Sequence, residues 1–156
     1  MQFRVAAIGQ RMPDWVNSGW QEYARRLPRS LRLELLELAL EKRGKNADID
    51  RLKSREGERL IAAIPDGALN VALDISGAAW STGHLADQLR SWMAGGRDVC
   101  FLVGGPDGLA DSCLAAADFR WSLGPLTLPH SLVRIILAEQ LYRAWTVINH
   151  HPYHRA

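Results

Sequence analysis

Val99-Cys100-Phe101-Leu102-Val103 runs without a break into Gly104-Gly105-Pro106-Asp107-Gly108. The first five residues form the most apolar short run of the chain, as a strand buried on both faces requires. The glycines that follow punctuate it, and a short helix is expected over 107–117. A strand feeding a glycine turn and then a helix is the unit of an open α/β sheet. In such sheets, ligands sit beyond the carboxyl ends of the strands. The run is neither G-x-G-x-x-G nor G-x-x-x-x-G-K-[ST], so a dinucleotide or P-loop reading does not follow from it. On its own it fits equally a ligand-binding turn and a tight connection that binds nothing.

The same alternation extends in both directions. Strands are expected over 3–8, 33–38, 70–75 and 120–123. Helices are expected from Pro13-Asp14-Trp15 to about Leu27, over 48–64, over 82–93, and from Ser131 to Asn149. Pro13 suits a first helical turn, and Gly95-Gly96 suits a helix end. The βαβαβα order predicts an α/β fold with a mainly parallel sheet flanked by helices. The 156 residues carry no linker, repeat or low-complexity stretch, so a single domain over 1–156 is expected.

Composition narrows the classes further. Hydrophobic residues make up 47% of the chain, enough for a substantial core. No run reaches 18 apolar residues, so no membrane partner is expected, and Met1-Gln2-Phe3-Arg4-Val5 lacks a signal-peptide layout. Cys100 and Cys113 lack metal-ligand spacing and read as reduced core thiols, which points to the cytoplasm. The formal net charge of +2 does not by itself call for nucleic acid. Its placement is more suggestive: Arg25, Arg26, Arg29 and Arg32 cluster, as do Lys42, Arg43 and Lys45, and Arg134, Arg143 and Arg155 enrich the last third. Such clusters meet phosphates or form solvated faces.

Three further stretches can carry chemistry. Ser122-Leu123-Gly124-Pro125-Leu126-Thr127-Leu128-Pro129-His130 is an unusually apolar loop. It fits either a loop packed into the core or one that wraps an apolar ligand such as an adenine. The closing helix is apolar on more than one face, which suits a core helix that also meets a second subunit. Glu139 and Arg143, four residues apart, are set for an ion pair. The tail Pro152-Tyr153-His154-Arg155-Ala156 holds a phenol, an imidazole and a guanidinium within three positions. His150, His151 and His154 are not read as metal ligands, because Pro152 breaks their spacing and no carboxylate or thiol lies near; no metal is expected.

Taken in order, Met12–Val16, Lys42–Ile49, Leu102–Gly108, Leu126–His130 and Asn149–Arg155 resemble the large-subunit ribosomal RNA methyltransferase H family, within the SPOUT superfamily of knotted methyltransferases. The resemblance covers essentially the whole chain. It implies an α/β knot with a C-terminal trefoil knot. It also implies methyl transfer from S-adenosylmethionine to N3 of a pseudouridine in a 23S rRNA stem-loop, by a homodimer acting on assembled ribosomes. Carried over by position, the cofactor would contact Leu73, Gly104, Leu123, Gly124, Pro125, Leu126, Thr127 and Leu128. Tyr153, His154 and Arg155 would reach the RNA base as catalytic residues, and Lys42, Arg43 and Lys45 would hold phosphates. Ser131 stands where the family often has Pro, Asp107 where it often has Glu, and Ala156 where it ends in an acidic residue. The alternative is a non-catalytic ribosome- or RNA-binding module that keeps the fold.

Overall fold

In the computed structural model, which describes residues 1–155, the elements run β1 (Gln2–Ile8), α1 (Asp14–Ala24), β2 (Arg32–Leu38), α2 (Ile49–Ala62), β3 (Leu69–Ala79), α3 (Thr82–Gly95), β4 (Val99–Val103), α4 (Asp111–Ala116), β5 (Phe119–Ser122) and α5 (His130–Ile148). Ala156, named above for its departure from an acidic residue, lies outside the described residues. The five strands form one all-parallel sheet in the order β2-β1-β4-β3-β5.

Period-two alternation divides the core between the two faces of this sheet. Phe3, Val5 and Ala7 of β1 and Val99, Phe101 and Val103 of β4 face one side, with Trp20, Leu89, Trp92, Leu137 and Leu141 from α1, α3 and α5. Ala6, Ile8, Cys100 and Leu102 face the other, against Leu60 of α2 and Cys113 of α4. Both cysteines are buried and unbridged, and burial raises the Cys100 thiol to about 11. Local signals set the helix starts. Asp48 caps α2 by accepting from the Arg51 N–H at 3.3 Å, and Ser81 caps α3 through His84 N–H at 3.1 Å. No helix among the described residues is long and apolar enough to cross a membrane.

Three sequence expectations need correction. β3 continues to Ala79 instead of stopping at Ile75, because its pairing with β5 slips: Leu73 and Ala78 both register with Trp121. Residues 74–77 bulge out of the ladder at that slip. Gly77 makes this possible, since a Cβ there would stand 2.6 Å from the Arg120 backbone. Second, the helix expected from Asp107 begins at Asp111, because Gly105 and Gly108 first close a tight bridge. Third, Arg134 is not part of a surface basic cluster. It is fully buried and pairs with Glu37 at 2.6 Å. It also donates to the Gly9 carbonyl at 2.7 Å, which ties the first turn of α5 to the end of β1. Arg25 and Arg26 likewise both pair with Glu22.

Candidate active site

Because all five strands are parallel, β3, β4 and β5 end on one edge of the sheet. Beyond their ends lies a cleft of about 910 Å³. Its floor is Leu73 and the β3 bulge, with Val103 and the Gly104–Gly108 turn beside them. Its other wall is Ser122, Leu123, Gly124, Leu126, Thr127 and Leu128, and it closes on His130 and Val133 of α5. Ser122 Oγ accepts from the Gly124 N–H at 3.1 Å and so pins the loop's first bend. The loop is not packed into the core: Leu126 is 76% exposed, and Ile75 of the opposite bulge is 63% exposed. Two large apolar side chains at a cleft rim form a surface that a ligand or partner would cover. Burial, and then the charge of Arg134, holds the His130 imidazole below its ordinary value.

The turn between β4 and α4 is braced from behind by a charge network. Glu56 of α2, 2% exposed, accepts from Arg43 at 2.8 Å and from the Glu41 backbone N–H at 3.0 Å. Arg43 also reaches Asp107 at 2.9 Å. These two carboxylates hold Arg43, which anchors its loop to the cleft wall, while Lys42 and Lys45 stand exposed beside it. Replacing Glu56 by Ala leaves Arg43 half-paired, with Asp107 still in place, and should cost about 2–3 kcal/mol, read as a lower urea midpoint with an unchanged slope. An unchanged midpoint would show that the network contributes nothing to stability.

The tail is tied down by the end of α5. His150 adopts φ +54°, and the His151 N–H returns to the Thr146 carbonyl at 2.9 Å while His150 N–H reaches Val147. This double bond pattern is a Schellman closure. Pro152 then turns the chain back along the helix. Tyr153 donates its hydroxyl to Glu139 Oε1 at 3.0 Å and places its ring 4.7 Å from that of Tyr142. The Arg143 guanidinium lies over the same ring at 4.8 Å. Arg143 pairs with Glu139 at 2.6 Å and meets His154 Nδ1 at 3.3 Å. Burial, then the bond to Glu139, raises the Tyr153 phenol to about 12. Arg155 is exposed.

Two separate groups of residues result. Leu73, Gly104, Leu123, Gly124, Leu126, Thr127 and Leu128 converge on the cleft, and Pro125 sits exposed at the outside of its loop. Tyr153, His154 and Arg155 do not line that cleft. Val133, at the cleft, and Arg143, under the tail, are ten residues apart on α5, about 15 Å at 1.5 Å per residue. Sequence reasoning missed the bulge residues Asp74 and Ser76, Lys53 on the cleft wall, and Glu139 as an acceptor for the tail. The i,i+4 spacing of Glu139 and Arg143 gave their ion pair, but no local signal shows that Tyr153 folds back onto it.

Known proteins share the fold. The fold resembles a probable rRNA-methyltransferase from Porphyromonas gingivalis (14% identity, 94% of this chain and 69% of that one, TM-score 0.54). It also resembles a probable methylase family protein from Haemophilus influenzae Rd KW20 (10% identity, 99% and 70%, TM-score 0.55). The SpoU methyltransferase AviRb from Streptomyces viridochromogenes, in complex with AdoMet, matches at 11% identity over 96% of this chain and 61% of its own, with a TM-score of 0.47. Residues 1–154 match the family model described as "Predicted SPOUT methyltransferase". A chain with this sheet, this cleft and that match over all but its last two residues belongs to the SPOUT methyltransferase family.

Proposed function

We propose that the protein methylates N3 of a pseudouridine in a 23S rRNA stem-loop, on assembled ribosomes, using S-adenosylmethionine. The observation that carries the methyltransferase part is the convergence of Leu73, Gly104, Leu123, Gly124, Leu126, Thr127 and Leu128 on one cleft in a chain of this family. The cleft suits that cofactor. Its volume falls in the range of small-ligand sites, Leu123, Leu126 and Leu128 offer apolar faces for an adenine, and the glycine turn lets backbone come close. When bound there, the cofactor supplies an electrophilic methyl group. The chain's own residues bind and orient it: Gly124, Pro125 and Thr127 shape the loop around it, and Leu73 and Gly104 form the floor.

The pseudouridine and ribosome assignments rest on the family resemblance, supported by the donor-rich tail. In this reading Arg155 stabilises the developing imide anion through charged hydrogen bonds. Tyr153 holds the tail in place, and Lys42 and Lys45 hold phosphates, with Arg43 bracing their loop. The trefoil-knotted routing of the C-terminal part and a single domain over 1–156 belong to the same proposal. So does a homodimer, supported by the separation of tail and cleft and by the half-buried Leu132, Ile136 and Ile148 on α5. A cytoplasmic location follows from the ribosome as substrate.

The test is transfer of labelled methyl from S-adenosylmethionine to ribosomes from cells lacking the enzyme, with mass mapping of the product. A methylated pseudouridine in 23S rRNA is expected. Cofactor binding by calorimetry without transfer would overturn the substrate assignment, and neither binding nor transfer would favour a non-catalytic RNA-binding module.

A further inference from the structure

We infer that His154 acts in the reaction as a hydrogen-bond donor through Nε2–H, not as the proton acceptor, and that the tail is built to hold the anion of an imide nitrogen. The inference rests on the reading of a uracil-type base as the methyl acceptor.

His154 Nδ1 lies 3.3 Å from Arg143 Nη1. A guanidinium has five N–H donors, no acceptor, and stays protonated throughout the working range. In this contact Nδ1 must therefore be the acceptor, and the proton of the neutral ring sits on Nε2. An Nε2–H nitrogen has no free lone pair in the ring plane with which to take a proton. To act as a base, His154 would have to exchange tautomers and give up Arg143. Arg143 is itself fixed, by Glu139 at 2.6 Å and over the Tyr153 ring at 4.8 Å. The Tyr153 hydroxyl commits its proton to Glu139; its oxygen can still accept a hydrogen bond, but as a neutral phenol it is no base for a substrate proton. With the exposed Arg155 guanidinium beside it, the tail presents an N–H and a charged fork.

Donors without a positioned base among the described residues Tyr153, His154 and Arg155 match one class of nucleophile. An imide N–H lies between two carbonyls, and on losing its proton the charge spreads over both oxygens. Donors to those oxygens stabilise the anion and leave the nitrogen electron pair free in the ring plane. The N–H bond breaks, its electron pair stays on nitrogen, and the proton passes to hydroxide from bulk water. A ribose hydroxyl or an exocyclic amine, which is far less acidic, needs a positioned acceptor. The tail thus selects an acidic ring N–H over those alternatives.

Two measurements decide it. Long-range 15N correlation NMR on the folded full chain, with His154 assigned by its loss in His154→Gln, should show protonated Nε2 and bare Nδ1. In ribosome methylation, His154→Ala should fall on the order of 100-fold. His154→Gln, whose amide N–H stands near the place of Nε2–H but cannot take a proton, should recover at least about 10-fold over Ala. A proton on Nδ1, or a folded Gln variant as slow as Ala, overturns the inference. If the wild-type chain methylates no ribosomes, the substrate reading fails, and the NMR tautomer still decides whether His154 is a donor.

Discussion

A Gly104→Ala variant will bind S-adenosylmethionine about 100-fold more weakly, close to 3 kcal/mol, while keeping its sheet. The reason is steric and local. A Cβ at position 104 would stand 2.5 Å from the Gly108 carbonyl carbon, 2.6 Å from its oxygen and 2.9 Å from the Leu109 nitrogen. All three are backbone atoms and cannot swing aside as a side chain would. The turn must open, and its bridge between Gly105 and Gly108 must break or shift. That moves the wall against which a cofactor in the cleft would rest, and overpacking of this kind costs about 1–3 kcal/mol. β4 itself is buried along its whole length and paired on both sides, so the far-ultraviolet circular dichroism should not change. Calorimetric titration is the check. Undiminished affinity in the variant would remove the Gly104–Gly108 turn from the cofactor site.

The turn also shows where the sequence could be read and where it could not. Strands β1 and β4 and the closing helix announce themselves through apolar periodicity, which is a local property, and their observed limits lie close to the expected ones. The slip in β3 is not local. It arises from how Leu73 and Ala78 both meet Trp121, and only Gly77 hints at a close backbone neighbour. Arg134 illustrates the same limit. In sequence it is one more basic residue in a basic region, but its burial depends on Glu37 and on the end of β1, 97 and 125 residues away. Arg43 reads as a phosphate ligand until Glu56 and Asp107 are seen around it. The cleft residues were legible through the family resemblance, because their motifs are contiguous. The distance between cleft and tail was not, because it depends on the tail folding back along α5 instead of continuing past it.

That distance leads to the last prediction. Arg155→Ala should lower turnover on the order of 100-fold, as loss of a charged donor to a developing anion does, and should leave cofactor affinity alone, since no described tail residue lines the cleft. The more informative experiment joins the two variants in one dimer. If the chain dimerises as proposed, subunits carrying Gly104→Ala and Arg155→Ala, each strongly impaired by itself at limiting cofactor, are co-expressed with different tags and the mixed dimer purified. In a two-fold dimer in which the tail of one subunit serves the cleft of the other, one of the two sites combines the intact cleft of the Arg155→Ala subunit with the intact tail of the Gly104→Ala subunit. About half of the wild-type turnover should return. If each tail instead serves its own cleft, every site in the mixed dimer carries one defect, and activity stays near that of the parent variants. The roughly 15 Å of helix between Val133 and Arg143 favours the first outcome, because Tyr153 and His154 are held by Glu139 and Arg143 at the far end of α5. A tail fastened there stands away from the cleft of its own subunit, and the mixed dimer decides whether a second copy brings the two together.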